Sequence, residues 1–95
     1  MRKLKTEDDV KALIEDYDYE DVIIFSNPDY ASAFIGMTED DRAAYNYELM
    51  IEYLMDEYGW TDNEAVEFID YNTLRAVPYM GAKAPIIIYP LGYLE

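Results

Sequence analysis

Residues 21–36, DVIIFSNPDYASAFIG, decide whether this chain is all-helical or mixed. Val22, Ile23 and Ile24 are consecutive β-branched residues, and Phe25 extends the run. Ser26-Asn27-Pro28-Asp29 is a cluster of turn formers, and Tyr30 to Gly36 is again rich in apolar residues. Two β-prone runs joined by turn residues predict a β-hairpin, with strands over 21–26 and 30–36.

Helix signals flank that hairpin. Thr6-Glu7-Asp8-Asp9, Thr38-Glu39-Asp40-Asp41 and Thr61-Asp62-Asn63-Glu64 each place a hydroxyl three residues before a carboxylate. That arrangement satisfies the orphan amides of a helix N-terminus and predicts three helix starts, with the first-turn acids facing the positive end of the dipole. After Thr6, Val10, Leu13, Ile14 and Tyr17 recur on one helical face, which predicts a helix ending near Asp16. After Thr38, Tyr47, Met50, Ile51, Leu54 and Tyr58 form a second stripe that Gly59 terminates. After Thr61, Ala65, Phe68, Ile69, Asn72, Thr73 and Ala76 share a face, Trp60 is placed to staple onto Ala65, and Pro78 ends the helix.

A third strand is expected over 84–89, bracketed by Pro85 and Pro90, whose missing donors suit the ends of an edge strand. The reading is one α+β domain over 1–95, with element order α-β-β-α-α-β and a three-stranded sheet packed against helices. Two helices between the second and third strands predict a third strand antiparallel to the second and parallel to the first. The apolar first strand is expected at the centre, giving strand order 2-1-3.

Composition bounds the chemistry. The 95 residues hold 21 acids against 7 bases, a net charge of −14, with no histidine and no cysteine. The commonest general acid/base, the soft metal ligands and the thiol nucleophile are therefore missing. Arg2, Lys3, Lys5 and Lys11 supply four of the seven cations, so from Ala12 onward only Arg42, Arg75 and Lys83 oppose the acids. Such a surface repels nucleic acid and anionic membranes and attracts basic proteins. At 52% hydrophobic residues the chain is too apolar for a disordered acidic tail. Apolar runs of four or five residues are too short to span a bilayer, and no leader pattern opens the chain, which makes the cytoplasm the expected location.

Asp41, Glu48, Glu52 and Asp56 are expected on one stripe of the second helix, opposite its apolar face, with Tyr45 and Tyr53 beside them. Four-residue steps rise about 6 Å along a helix, close to the rise of about 6.8 Å for two nucleotides of one DNA strand. The competing reading is a plain solvated helix face. Of the eleven tyrosines, those at 17, 19, 30, 45, 53, 79, 89 and 93 cannot all be buried without hydroxyl partners, so several are expected at the surface. Asp16 to Asp21 imitates the first half of a calcium loop, but Asp21 stands where glycine is needed and Asn27 where a bidentate acid is needed. Arg75 is expected to pair with Asp70 or to close a helix C-terminus. Ser26, Ser32, Thr38, Thr61 and Thr73 lack a nucleophile motif, so no catalytic residue, metal or cofactor is expected.

The run Glu67 to Tyr79, with Ala84-Pro85-Ile86-Ile87 after it, resembles small acidic proteins of phages and mobile elements of gut bacteria. The resemblance spans roughly residues 21 to 90 and carries no active site with it. By class analogy it implies an inhibitor of host defence, such as the anti-restriction and anti-CRISPR proteins that imitate DNA. The expectation is a non-enzymatic protein whose acidic helical surface binds a basic, nucleic-acid-binding partner. The rival is a small structural or regulatory domain that forms a homodimer through its sheet edge, its charge serving solubility alone.

Overall fold

Thr6 opens the first helix in the manner its sequence predicts. Its hydroxyl accepts from Asp9 N at 3.3 Å, and the Asp9 carboxylate accepts from Thr6 N at 3.1 Å, closing a capping box at the head of α1 (Glu7–Asp16). Val10 and Ile14 turn inward from this helix. A distant residue completes the cap: Asp29 accepts from Glu7 N at 2.8 Å through one carboxylate oxygen and from Ala31 N at 3.1 Å through the other. The computed structural model describes residues 4–91; Arg2, Lys3 and Tyr93, counted above, lie outside that range.

The hairpin exists, but it lies one segment later in the chain. Residues 21–26 form no strand, and Tyr30 adopts a left-handed conformation before a short 3-10 turn over Ala31–Ala33. The paired strands are β1 (Phe34–Met37) and β2 (Ala43–Asn46), antiparallel, with a bulge at Ile35 between the pairs Phe34 with Tyr45 and Gly36 with Ala44. The run Val22 to Phe25 joins no ladder; Val22 and Ile24 pack half-buried against the core, Phe25 is buried, and its amide donates to the Tyr45 hydroxyl at 3.2 Å.

Thr38 therefore starts a turn and not a helix. Its amide donates to Arg42 O at 2.8 Å, its hydroxyl accepts from Arg42 N at 3.0 Å, and Asp41 takes a left-handed φ of 64°. Asp tolerates that region better than most residues, and a three-residue loop ending in a left-handed residue is a standard hairpin connection. The second helix, α2 (Tyr47–Tyr58), begins where β2 stops: Asn46 is the last strand residue and also the cap, accepting from Leu49 N at 3.0 Å. Gly59, at φ 70°, ends it as expected.

A second capping box at Thr61 and Glu64 opens α3 (Asp62–Phe68). The helical path continues through a π-helical stretch over Ile69–Thr73, a last α-turn over Leu74–Ala76 and a 3-10 turn over Val77–Tyr79 that contains Pro78. The wider π-turn accompanies a Thr73 side chain that is buried and shares a 2.5 Å hydrogen bond with the buried Tyr30 hydroxyl. Trp60 lies against Tyr58 at 4.9 Å and Phe68 at 5.2 Å, one turn beyond the staple expected on Ala65.

Element order is α-β-β-α-α-β, as the sequence predicts. Strand order is not. β3 (Ile86–Ile88) lies parallel to β2, so the sheet runs β1-β2-β3 with the second strand in the centre. The segment after α3 carries the chain back to the starting end of β2, where Arg42 Nε donates to Ala84 O at 2.8 Å and ties the beginnings of β2 and β3 together. The centre belongs to Ala43-Ala44-Tyr45 because all three are buried.

Tyr30, Tyr45, Met50, Leu54, Ile69, Val10 and Pro85 are the largest side chains wholly enclosed among the described residues. Met50 and Leu54 fasten α2 to the core, each burial stabilising by about 1.5–3 kcal/mol. Buried Ala31, Ala33, Ala43, Ala44 and Ala65 keep the backbones close. Among the described residues no helix is long and apolar enough to cross a membrane.

Candidate functional site

Inward-facing Met50 and Leu54 set the rotation of α2, and that rotation turns Glu48, Glu52 and Asp56 outward. The three carboxylates follow one another at four-residue steps, about 6 Å of rise each. All three are exposed, and no cation among the described residues lies within ion-pairing distance of them. Three of the described cations are engaged elsewhere: Lys11 reaches Glu7 at 3.3 Å, Arg42 holds Ala84 O and lies 3.9 Å from Asp40, and the Arg75 guanidinium sits 5.0 Å over the Tyr71 ring. Arg75 thus stacks on an aromatic ring in the last turn of its helix, the second of its two expected places, and makes no ion pair with Asp70.

The other three sequence candidates fall elsewhere. Asp41 is exposed, but it sits in the β1–β2 turn, off α2. Tyr45 is wholly buried at the centre of the sheet, its ring 4.7 Å from Phe25 and 5.7 Å from Phe34. Burial pushes its hydroxyl pKa far up, against the hydrogen bond from Phe25 N, and such a group offers nothing to a partner. Tyr53 is half-buried, 5.6 Å from the Tyr30 ring. Burial, with Asp29 acting in the same direction, raises its pKa.

Aromatic surface does adjoin the stripe, through Tyr58. This tyrosine is 48% exposed and stacks on Trp60 just beyond Asp56. Its helical period with Met50 and Leu54 gives it the appearance of a core residue in sequence. Its place in the last turn, next to Gly59, is the signal that it can swing out. At the other end of α2 the ring of half-buried Tyr47 meets that of exposed Tyr89 at 4.7 Å. Burial raises the Tyr47 pKa, with the charge of Asp70 acting in the same direction.

Of the hydroxyl groups considered as nucleophiles, Ser32 is exposed, Thr61 caps a helix, Thr38 closes the hairpin turn, Thr73 meets Tyr30, and Ser26 donates to Glu7 at 2.8 Å. That last bond, with Lys11 beside it, holds the Glu7 carboxyl below its ordinary pKa. Among the described residues no three carboxylates converge as metal ligands would. No family model, no curated protein and no solved structure matches the chain.

Proposed function

We propose that this protein is a non-enzymatic interaction module whose acidic α2 face binds a basic, nucleic-acid-binding protein. The observation that carries the reading is the alignment of Glu48, Glu52 and Asp56, exposed and without cation partners among the described residues. Within it only Glu48, in the first turn of α2, gains from the positive end of the helix dipole, and each i,i+4 like-charge pair along the stripe costs about 0.2–0.5 kcal/mol. A stripe of that kind steers and orients a basic partner. In the sharpest version the carboxylates stand in for phosphates, and the protein is a cytoplasmic inhibitor from a phage or mobile element, directed at a host defence protein. The engagement of Thr61 in a cap, Thr38 in a turn and Thr73 in a buried bond supports a role without covalent chemistry. The experiment is affinity capture of partners from host cells followed by mass spectrometry. Enrichment of a basic nucleic-acid-binding protein, lost when nucleic acid competes, supports the reading, and enrichment of none contradicts it.

A second reading has one observation in its favour: Ile88, Tyr89 and Leu91 are exposed at the β3 border of the sheet. They suit a homodimer through that edge. Sedimentation at two salt concentrations separates the readings, because a dimer carrying −14 per chain would tighten with salt, whereas the interaction module remains a monomer until its partner is added.

A further inference from the structure

On the side of the sheet away from β3, α1 and β1 wall a groove of about 300 Å³. α1 contributes Leu13, Ile14 and Tyr17, β1 contributes Phe34, Gly36 and Met37, and Tyr19 completes the lining. Three properties of this groove belong together. Its lining is mainly apolar and aromatic, and Tyr17 is 71% exposed. One of its walls is a border strand, because among the described residues β1 pairs with β2 alone. Its tyrosines come from the tract Asp16-Tyr17-Asp18-Tyr19-Glu20-Asp21, in which an acid separates or follows each ring, and Asp18, Glu20 and Asp21 are exposed. The cation on α1 nearest in sequence, Lys11, is drawn off by Glu7.

We propose that this groove receives an extended, lysine- and arginine-rich segment of a partner protein, laid beside the free edge of β1. An unpaired strand edge supplies main-chain donors and acceptors to an added strand, and pockets beside it take alternate side chains. Apolar residues of such a segment would enter between Leu13 and Met37, and its cationic residues would meet Asp18 and Glu20, with Tyr17 and Tyr19 offering ring faces to the same cations. Charge complementarity selects this occupant: a second copy of the chain would bring another −14 to an acidic rim. The inference shares with the proposed function only the basic character of the partner, and the groove has no residue in common with the α2 stripe.

The probe is a short fluorescent peptide alternating lysine with valine, titrated against the full chain by anisotropy and by amide chemical shifts. Expected are saturable binding and shifts over residues 13–19 and 34–37. Binding weakens about tenfold in Tyr17→Ser, the order expected for loss of an aromatic anchor, and stays unchanged in Tyr17→Phe. Its salt dependence flattens in the double variant Asp18→Asn, Glu20→Gln. A peptide with proline at its central valine loses binding, because proline cannot donate to a ladder. Tyr17 is exposed, so these variants leave the core intact. Shifts confined to α2 would overturn the groove while leaving the proposed function standing. Absence of saturable binding, or an unchanged affinity in Tyr17→Ser, would also overturn it, as would a peptide-free dimer whose contacts fall on 34–37.

Discussion

Tyr45→Phe removes one oxygen from the centre of the molecule and tests how the apolar run before the hairpin is held. In the structure the amide of buried Phe25 has the Tyr45 hydroxyl as its acceptor, at 3.2 Å, in place of a strand partner. Leaving a buried amide without an acceptor costs about 1–3 kcal/mol, more than the net worth of an ordinary hydrogen bond. The ring itself stays, so no cavity term is added. For a domain of this size, about 1 kcal/mol lowers the melting temperature by about 4–8 °C, so a fall of about 5–20 °C is expected. Thermal melting followed by circular dichroism gives the loss, and amide hydrogen exchange locates it, with the Phe25 amide losing protection relative to residues 43–46. A loss under about 0.5 kcal/mol with Phe25 protection unchanged would refute the reasoning, for it would mean that the segment is held by its own ladder.

The alkaline limb of stability should be steep. Burial raises the Tyr30 pKa to about 12 and also pushes up those of Tyr45 and Tyr53. A group that keeps its proton longer in the folded state contributes its full stability below the unfolded tyrosine pKa of about 10, and loses it as pH rises from there through the folded value. Melting temperatures measured from pH 9 to 12 should accordingly fall beyond about pH 10, together with the growth of tyrosinate absorbance, and a flat profile would contradict the burial of these hydroxyls. Thr6→Ala, Asn46→Ala and Thr61→Ala should each cost about 1 kcal/mol and some helicity by circular dichroism, whereas Thr38→Ala should leave helicity unchanged. A helicity loss in Thr38→Ala would return the start of α2 to Thr38. Added salt should raise the melting temperature as self-repulsion is screened over about 10 Å at 0.1 M, and insensitivity to salt would mean that the acids are better compensated than the ion pairs allow.

The tetrapeptide Thr-Glu-Asp-Asp occurs at 6–9 and again at 38–41, and it shows why part of this fold is legible and part is not. At 6–9 the apolar residues that follow, Val10, Leu13 and Ile14, keep helical spacing, and the hydroxyl and carboxylate close a capping box. At 38–41 the next residues are Arg42-Ala43-Ala44-Tyr45, whose burial in the sheet requires an extended chain, and the same hydroxyl caps a hairpin turn instead. Local chemistry satisfied both outcomes, and tertiary packing chose between them. The same competition misplaced the strands. Val22-Ile23-Ile24 has high β-propensity, yet it meets its need for half-burial beside the core, while Ala43-Ala44, with little propensity, takes the central position, where both faces of β2 are covered. At the candidate surface, Glu48, Glu52 and Asp56 were readable from period alone, since Met50 and Leu54 fix the opposite face. Asp41 was misplaced with the helix start. Tyr45 followed it, because a strand residue buried on both faces cannot be recognised from a helical pattern.

The most direct test of the central claim is the association rate between the captured partner and the triple variant Glu48→Gln, Glu52→Gln, Asp56→Asn, measured by stopped flow at low and high salt. The variant should fold about as stably as the parent, because the repulsion relieved, about 0.2–0.5 kcal/mol per like-charge pair, offsets the loss of the Glu48 charge at the positive end of α2. Its association should be slower at low salt and far less sensitive to ionic strength, since complementary charge acts mainly on the encounter rate. An association rate equal to that of the parent at both salt concentrations would contradict the account and leave the α2 stripe as a solvated helix face.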